Sequence, residues 1–353
     1  VTTDDGGVRI ASITRDIDVG LFKLVQSATS EHARNTAVVE KLDSIQQVVG
    51  SPNDQTSPAA MISRLRDELL RFANAPNDLA SGAGAITAAR DVARSLNDAT
   101  ATVQRVRAQA DEDISNGVER LNTLLSEFDQ VNKEIINGTR EARDVTDHED
   151  ARDRILTEVA GLIDVRTVTR SDNDMVILTD SSLVLYEGSP RTISFNPTGA
   201  FDASTTGSPI YVDGMPVTGS NSNQSALSGS LVGLARVRDE LAVTTQSQLD
   251  EMARGLVTLF AESDQLGGGA PTQPGLFTYT GAPAMPASGV VVAGLAGSIS
   301  INASVDPAQG GNINLLRDGA ISDPGNASYI YNTSGGAGYS DRLRELADAF
   351  GQT

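Results

Sequence analysis

The chain has no cysteine, no tryptophan and only two histidines, His32 and His148. Disulfides, thiolate catalysis and cysteine-containing zinc sites are therefore excluded. A Ser-His-Asp triad would have to use one of the two histidines. His32 lies in SEHARN within a helical pattern, and His148 in the polar turn DHED. Both read as exposed side chains, whereas a general base needs a shaped, partly buried setting. No Gly-x-Ser-x-Gly elbow occurs, and no Arg/Lys-rich run is interleaved with aromatics. Positive charge is scarce: 27 Lys and Arg face 46 Asp and Glu, for a net charge of −19 and a pI of about 4.4. Such a surface repels phosphate backbones and anionic lipid, which argues against nucleic acid and membrane surfaces as partners. The longest apolar run, GVVVAGLAGSISI at 289–301, is too short and glycine-rich to span a bilayer. No signal peptide is visible. Opening at Val1 without methionine and closing at Thr353 just after YSDRLRELADAF, the chain reads as a trimmed core.

What the chain does have is regular apolar spacing. With 353 residues it can form two or three domains, each with a core. From Ile17 the positions Leu21, Leu24, Ala28, Glu31, Asn35, Val38, Leu42, Ile45 and Val49 alternate steps of four and three, the heptad signature, until Gly50, Ser51 and Pro52 stop it. The same alternation runs through Ala89, Ala93, Leu96, Thr100, Val103, Arg107, Ala110, Ile114, Gly117, Leu121, Leu124, Phe128, Val131 and Ile135. Val106, Val118 and Leu125 widen this second stripe, and no proline interrupts 86–136. At about 1.5 Å per residue a helix over 86–136 would be roughly 75 Å long. A compact globule of this chain length has a radius of gyration of only about 20 Å, so a continuous helix implies an elongated bundle.

Between these segments Ser57 caps and Pro58 opens a shorter amphipathic helix, MISRLRDELLRFA, and 74–84 reads as a loop. After Val165 the period changes to two. VRTVT, DMVIL, SLVLYE and RTISF are short β-branched or aromatic runs separated by polar turns. PIYVDGMPVT carries an Asp213-Gly214 hairpin signal, and 196–208 reads as a Gly/Ser/Thr loop. Helix returns with Ser228 or Ser230 as cap and Leu231, Leu234, Leu241, Leu249, Met252, Leu256 and Phe260 as apolar positions. Irregular chain follows, with SISIN as its best strand, and Ser340 caps a final helix with Leu343, Leu346, Ala347 and Phe350 on its apolar face. The expected fold is α+β and multidomain. Residues 1–163, 227–265 and 338–353 form a bundle of long helices, 164–226 an inserted small antiparallel β-domain, and 266–337 an irregular or β segment packing on either.

Three motifs bear on chemistry. In DARDRILTEVAGLIDV (150–165) the acids Asp150, Asp153 and Glu158 share one helical face, with Arg152 and Arg154 between them and Ile155, Leu156, Val159, Leu162 and Ile163 opposite. That is the pattern of a solvated face with i,i+4 pairs such as Arg154–Glu158, not of an acid/base pair. SDNDM (171–175) alternates oxygens as a calcium loop does, but lacks the sixth-position glycine and the closing glutamate, so it reads as a turn. GAGAIT (82–87) lacks the third glycine, the preceding strand and the Lys-Ser/Thr ending of a phosphate loop, and reads as helix entry. Catalytic, cofactor and metal residues are accordingly all expected to be none.

Four stretches, read in order, resemble a known family. They are 10–50, the helix-to-sheet passage 156–195 with the Arg152-Asp153 pair before it, GSLVGLARVRDELAVTTQSQLDEMARGLVTLFAE from Gly229, and SISINASVDPAQGGNINLLRDG at 298–319. Together they are similar to the bacterial flagellar hook-associated protein 1 family of hook–filament junction proteins. In DSSLVL the glycine of the family's G-x-x-L-V strand is replaced, and the family's terminal coiled-coil segments are missing. The resemblance implies a non-enzymatic structural subunit of the flagellum, exported unfolded through the type III apparatus and located outside the cell. The implied partners are the flagellar hook protein, the next junction protein, further copies of itself in a ring, and an export chaperone. The isolated core is expected to be monomeric. The alternative reading is an acidic coiled-coil adhesin stalk whose β-domain binds a ligand; a cell-wall enzyme would need an acid/base pair that the sequence does not offer.

Overall fold

The structure is a computed structural model and describes residues 18–50, 54–219, 222 and 225–350. Ile17, Ser51 and Pro52, assigned above to the first helix and its stop, lie outside the described residues. The chain divides into two compact units. One takes in the residues up to Lys41, Ala108–Gly199 and Thr206–Glu240, the other Leu42–Arg107, Ala200–Thr205 and the residues from Leu241 onward.

The helices are α1 (Val19–Val49), α2 (Pro58–Asn74), α3 (Leu79–Arg140) and α4 (Thr146–Leu162), followed after the strands by α5 (Ser230–Arg236) and α6 (Ala242–Leu259). Three more, α7 (Leu295–Ser298), α8 (Asn314–Asp318) and α9 (Asp341–Ala349), are short. The strands are β1 (Arg166–Thr169), β2 (Met175–Leu178), β3 (Val184–Tyr186), β4 (Ile193–Ser194), β5 (Tyr211–Val212), β6 (Met215–Pro216), β7 (Phe277–Thr278) and β8 (Ser300–Ile301). All pairings are antiparallel: β1-β2-β3, β4-β5-β6 and β7-β8. Asp213 and Gly214 both take positive φ, 47° and 80°, as the two-residue turn between β5 and β6 requires.

The seam read for α3 is the buried one: Ala89, Ala93, Leu96, Val103, Arg107, Ala110, Ile114, Leu121, Leu124, Phe128 and Ile135 are all buried. The helix is uninterrupted for 62 residues, about 93 Å at roughly 1.5 Å per residue. It starts earlier than expected. Asp78 accepts bonds from the backbone N–H of Ala80 and Ser81 (3.1 and 3.2 Å) and caps a helix that begins at Leu79, inside the expected loop 74–84. GAGAIT is therefore helix interior, not entry. Its first glycine is needed for close packing, since a Cβ at Gly82 would lie 2.5 Å from Ile313 Cγ2 and 3.1 Å from Phe72 Cζ.

The stripe read for α1 is buried only in part. Of that stripe Ile45 is buried, but Leu21 and Leu24 are 59% and 69% exposed, and Gln26, Ser30 and Ala37 take the buried positions before it. Small and polar residues win the inner face because α1 approaches its neighbours closely, as described below.

In the first unit, α3 from Ala110 to Phe128, α4, both three-stranded sheets and α5 share one apolar core. Leu121, Leu124, Phe128, Leu156, Ile177, Leu185, Tyr186 and Val212 lie at its centre. Phe128 meets Tyr186 edge to face at 4.8 Å. In the second unit, Ser57 Oγ accepts the Ala60 N–H at 3.2 Å, and Leu65, Leu69 and Phe72 of α2 are buried, with α2 packed on α9. Phe260 meets Phe277 and Phe350 edge-on at 5.2 and 5.8 Å. Ser340 precedes α9 but makes no side-chain cap bond.

The helix expected after the β-strands also departs from expectation. Its N-cap is Gly229, not Ser228 or Ser230, and between α5 and α6 the residues Val237–Leu241 form a π-turn.

Candidate functional site

DARDRILTEVAGLIDV ends in a node where α1, α4, the strands and α5 meet. Asp164, 1% exposed, accepts the N–H of Asp180 (2.7 Å) on one carboxylate oxygen and that of Leu227 (3.2 Å) on the other, while its own N–H donates to Ser228 O. Burial pushes the Asp164 carboxyl up from the usual range, and the two N–H donors oppose that shift. Ser228 Oγ and Ser30 Oγ share a buried hydrogen bond of 2.6 Å, Gly229 N–H donates to Ser30 O, and Arg34 donates to Leu227 O.

Two glycines make this approach possible. Gly229 has φ +99°, and a Cβ there would lie 2.4 Å from Leu162 O. At Gly233 a Cβ would lie 2.5 Å from Arg34 O. The α1 backbone thus rests directly on the start of α5, which is why its inner face is small and polar.

Further along, Arg238 in the π-turn is 1% exposed. Its Nη1 donates to Asp111 Oδ1 at 2.5 Å, its Nη2 to Ser208 O at 2.7 Å, and both Nε and Nη2 reach Asp239. The Phe195 ring lies under the guanidinium at 5.7 Å. Burial acts to lower the Arg238 pKa, but the carboxylates of Asp239 and Asp111 outweigh it and the net direction is up. Asp111 Oδ2 also accepts the Thr198 N–H at 2.7 Å. In the other unit Arg107 donates to the carbonyls of Asp202 and Thr205 and stacks on Phe201 at 4.7 Å. The stretch 196–208, expected to be a plain Gly/Ser/Thr loop, is thus held at backbone carbonyls within each unit, at Asp202 and Thr205 by Arg107 and at Ser208 by Arg238.

The remaining sequence candidates fall where surface chemistry puts them, with two exceptions. Asp150 and Glu158 are exposed and Asp153 is half-buried; His32 and His148 are exposed. Glu158 pairs with Arg120 of α3 at 2.5 Å instead of with Arg154. Arg152, expected on the solvated face, is buried, with Nη1 donating to Asn173 O at 2.8 Å and Asn132 Oδ1 at 3.3 Å. SDNDM is a short helical turn joining β1 to β2, with Asp172 bound to Arg140 and Asp174 to Asn132. Among the described residues no group of three or more His, Asp or Glu could hold a metal ion.

An open groove of about 680 Å³ lies beside the node, with Arg34, Leu227, Val232 and Arg236 among its helical lining and Tyr211 and Pro216 from the hairpin. Its charges are already matched, since Arg34 pairs with Glu31 and Arg236 with Glu240. The arrangement holds chain segments in register. Sequence reading missed Asp164, Asp111, Arg107, Arg238, Gly229 and Gly233. For Arg107 and Arg238 the available signal was an arginine standing at a buried position of an apolar stripe.

Residues 42–277, more than half of the chain, match the family model described as the flagellar hook-associated protein FlgK helical domain. No curated protein matches. Among solved structures the chain is similar to the flagellar hook junction protein FlgK from Burkholderia pseudomallei. The two share 19% identity and a TM-score of 0.56, over 73% of this chain and 46% of that one. At that identity the likeness is one of fold, and the chain spans just under half the length of that protein.

Proposed function

The chain belongs to the flagellar hook-associated protein FlgK family, and from that premise we propose that it is a structural, non-catalytic subunit joining hook to filament in the bacterial flagellum. The observation that carries the reading is α3, a single helix of 62 residues whose four-and-three seam is buried at most positions from Ala89 to Ile135 and half-buried at Thr100, Gly117 and Val131. A helix covered along its length is stiff. Its neighbours are fixed to it by apolar packing, by arginine clamps and by glycine-permitted backbone contact, which suits a part that transmits bending and torsion. On this reading the partners are the hook protein, the next junction protein and further copies in a ring. An export chaperone accompanies the chain inside the cell, and the assembled protein is extracellular. The core alone is monomeric, and the division into a helical bundle (1–163, 227–265, 338–353), a β-domain (164–226) and a connecting segment (266–337) describes its working parts. The adhesin-stalk reading draws no support from the family match.

The test is electron microscopy of purified hooks incubated with the full-length protein, beside motility of a deletion strain carrying it. Decorated hook ends and restored swimming are expected. Bare hooks together with a strain that remains unable to swim would overturn the reading.

A further inference from the structure

One helical stretch carries a surplus residue. One line of buried positions runs from Leu231 through Leu234, Arg238, Ala242, Gln246, Leu249, Ala253, Leu256 and Phe260, with Ala235, Val237, Asp250 and Val257 buried beside it. Steps of three and four alternate at either end, but 234–238–242–246 is a run of fours that overshoots three α-helical turns, about 11 residues, by one. The π-turn at Val237–Leu241 absorbs that residue and keeps the buried positions in line on both sides of it.

The turn is held where it is by side-chain bonds. Arg238 points inward from the turn and is met by Asp111, Asp239 and Ser208 O. Space for it is left by Gly207, whose Cβ would fall 2.1 Å from Arg238 Nε. Beyond the turn, little opposes a one-residue slip. Within 242–248 only Ala242 and Gln246 are buried, the first a single methyl and the second polar. Gln246 meets Gln104 and Thr100 and donates to Asp250 Oδ1 at 3.0 Å, while its neighbours Thr245 and Ser247 bond only to carbonyls of their own helix. The slip is blocked further on: Leu249 and Asp250 are buried, and Asp250 accepts the N–H of Gly294 and Ala296, each at 2.9 Å.

We infer that the Arg238–Asp111 pair pins the π-turn at 237–241, and that breaking the pair lets the turn travel into the first half of α6 and stop before Asp250. Every position the turn passes changes its facing by about 100°. The pair thus selects one helical register out of two. This goes beyond the junction role and does not depend on it, because the readout needs neither hook nor filament.

Amide hydrogen exchange on the chain tests it. With Asp111→Asn, amides across 239–247 should exchange at least about tenfold faster, while those beyond Asp250 and those of 114–128 in α3 keep their rates. The same substitution in a protein lacking Glu240, which has no surplus residue to move, should leave 239–247 unchanged. Acceleration confined to 195–208 would overturn the inference, as would equal acceleration at 239–247 with Glu240 deleted. Arg238→Lys keeps the charge but loses the fork of bonds; it is read in the same way where Asp111→Asn does not fold.

Discussion

Gly233→Ala sets two physical effects of opposite sign against each other. Helix propensity favours alanine over glycine in a helix interior by about 1 kcal/mol, so on local grounds the variant is more stable. Packing opposes it. The new Cβ would sit 2.5 Å from the Arg34 carbonyl oxygen and 3.2 Å from Arg34 C and Cα, all backbone atoms that cannot rotate away. Relief requires α1 to lift from α5, which stretches the Ser30–Ser228 bond of 2.6 Å and the Gly229 N–H bond to Ser30 O of 3.0 Å. Overpacking of this kind costs about 1–3 kcal/mol, and each weakened buried hydrogen bond adds about 1 kcal/mol. The net expectation is a loss of about 2–4 kcal/mol. Gly255→Ala in α6 is the control, because a Cβ there meets nothing within 4 Å; it should stabilise by up to about 1 kcal/mol. Urea unfolding followed by circular dichroism at 222 nm gives both values. If the two alanines shift the midpoint by the same amount and in the same direction, close contact between α1 and α5 is refuted.

Leu121→Ala and Phe128→Ala, at two fully buried positions of the α3 seam, should each cost about 2–5 kcal/mol in the same assay; near-zero loss at both would mean the stripe is uncovered. Burial, with the Asp129 charge nearby, pushes the Tyr186 hydroxyl from its ordinary 10.0 up to about 12. The folded state therefore holds that proton more tightly than the unfolded state does. Its contribution is fully present below pH 10 and is lost as the pH rises from about 10 to about 12. Absorbance titration at 295 nm of wild type minus Tyr186→Phe should show that extra group ionising near pH 12, and a midpoint near 10 would refute the burial argument. Glu262 is fully buried and accepts from Arg342 Nη2 (2.7 Å), Ile321 N–H and Ser322 N–H. Glu262→Gln should cost about 3 kcal/mol by stranding the arginine charge, and adding Arg342→Met should recover most of it in thermal unfolding.

Periodicity carried the large features because it reports burial directly. The seam from Ala89 to Ile135 demanded one long covered helix, and the change to alternation after Val165 demanded short strands; both are present. The Asp213-Gly214 turn was equally legible, since few dipeptides accept positive φ at both positions. The chemistry of DARDRILTEVAGLIDV was partly legible. Asp150 and Glu158 stand in solvent as their spacing implied, but Arg152 turns inward because Asn173 O and Asn132 offer acceptors from elsewhere in the chain.

The errors share a physical cause: apolarity is a poor guide where two backbones approach closely. On α1 the leucines at 21 and 24 looked like the buried stripe, yet the inner face belongs to Gln26, Ser30 and Ala37. Gly229 and Gly233 bring α5 so near that only small side chains fit between the helices. Buried arginine misleads in the same way. Arg107 seemed to weaken the α3 seam, and Arg238 seemed an ordinary charged residue on the next helix. Each is matched at its guanidinium, Arg107 by the carbonyls of Asp202 and Thr205 and Arg238 by Asp111 and Ser208 O. Those partners are unreadable from a local window because Arg238 and Asp111 stand 127 residues apart. One long-range feature does leave a local trace. A helix that must return its buried face to the same side after a widened turn needs an extra residue, and the unbroken fours from Leu234 to Gln246 record it. Departures from the four-and-three alternation therefore point to the wide turn, and in this chain the wide turn is where Arg238 finds its buried acid.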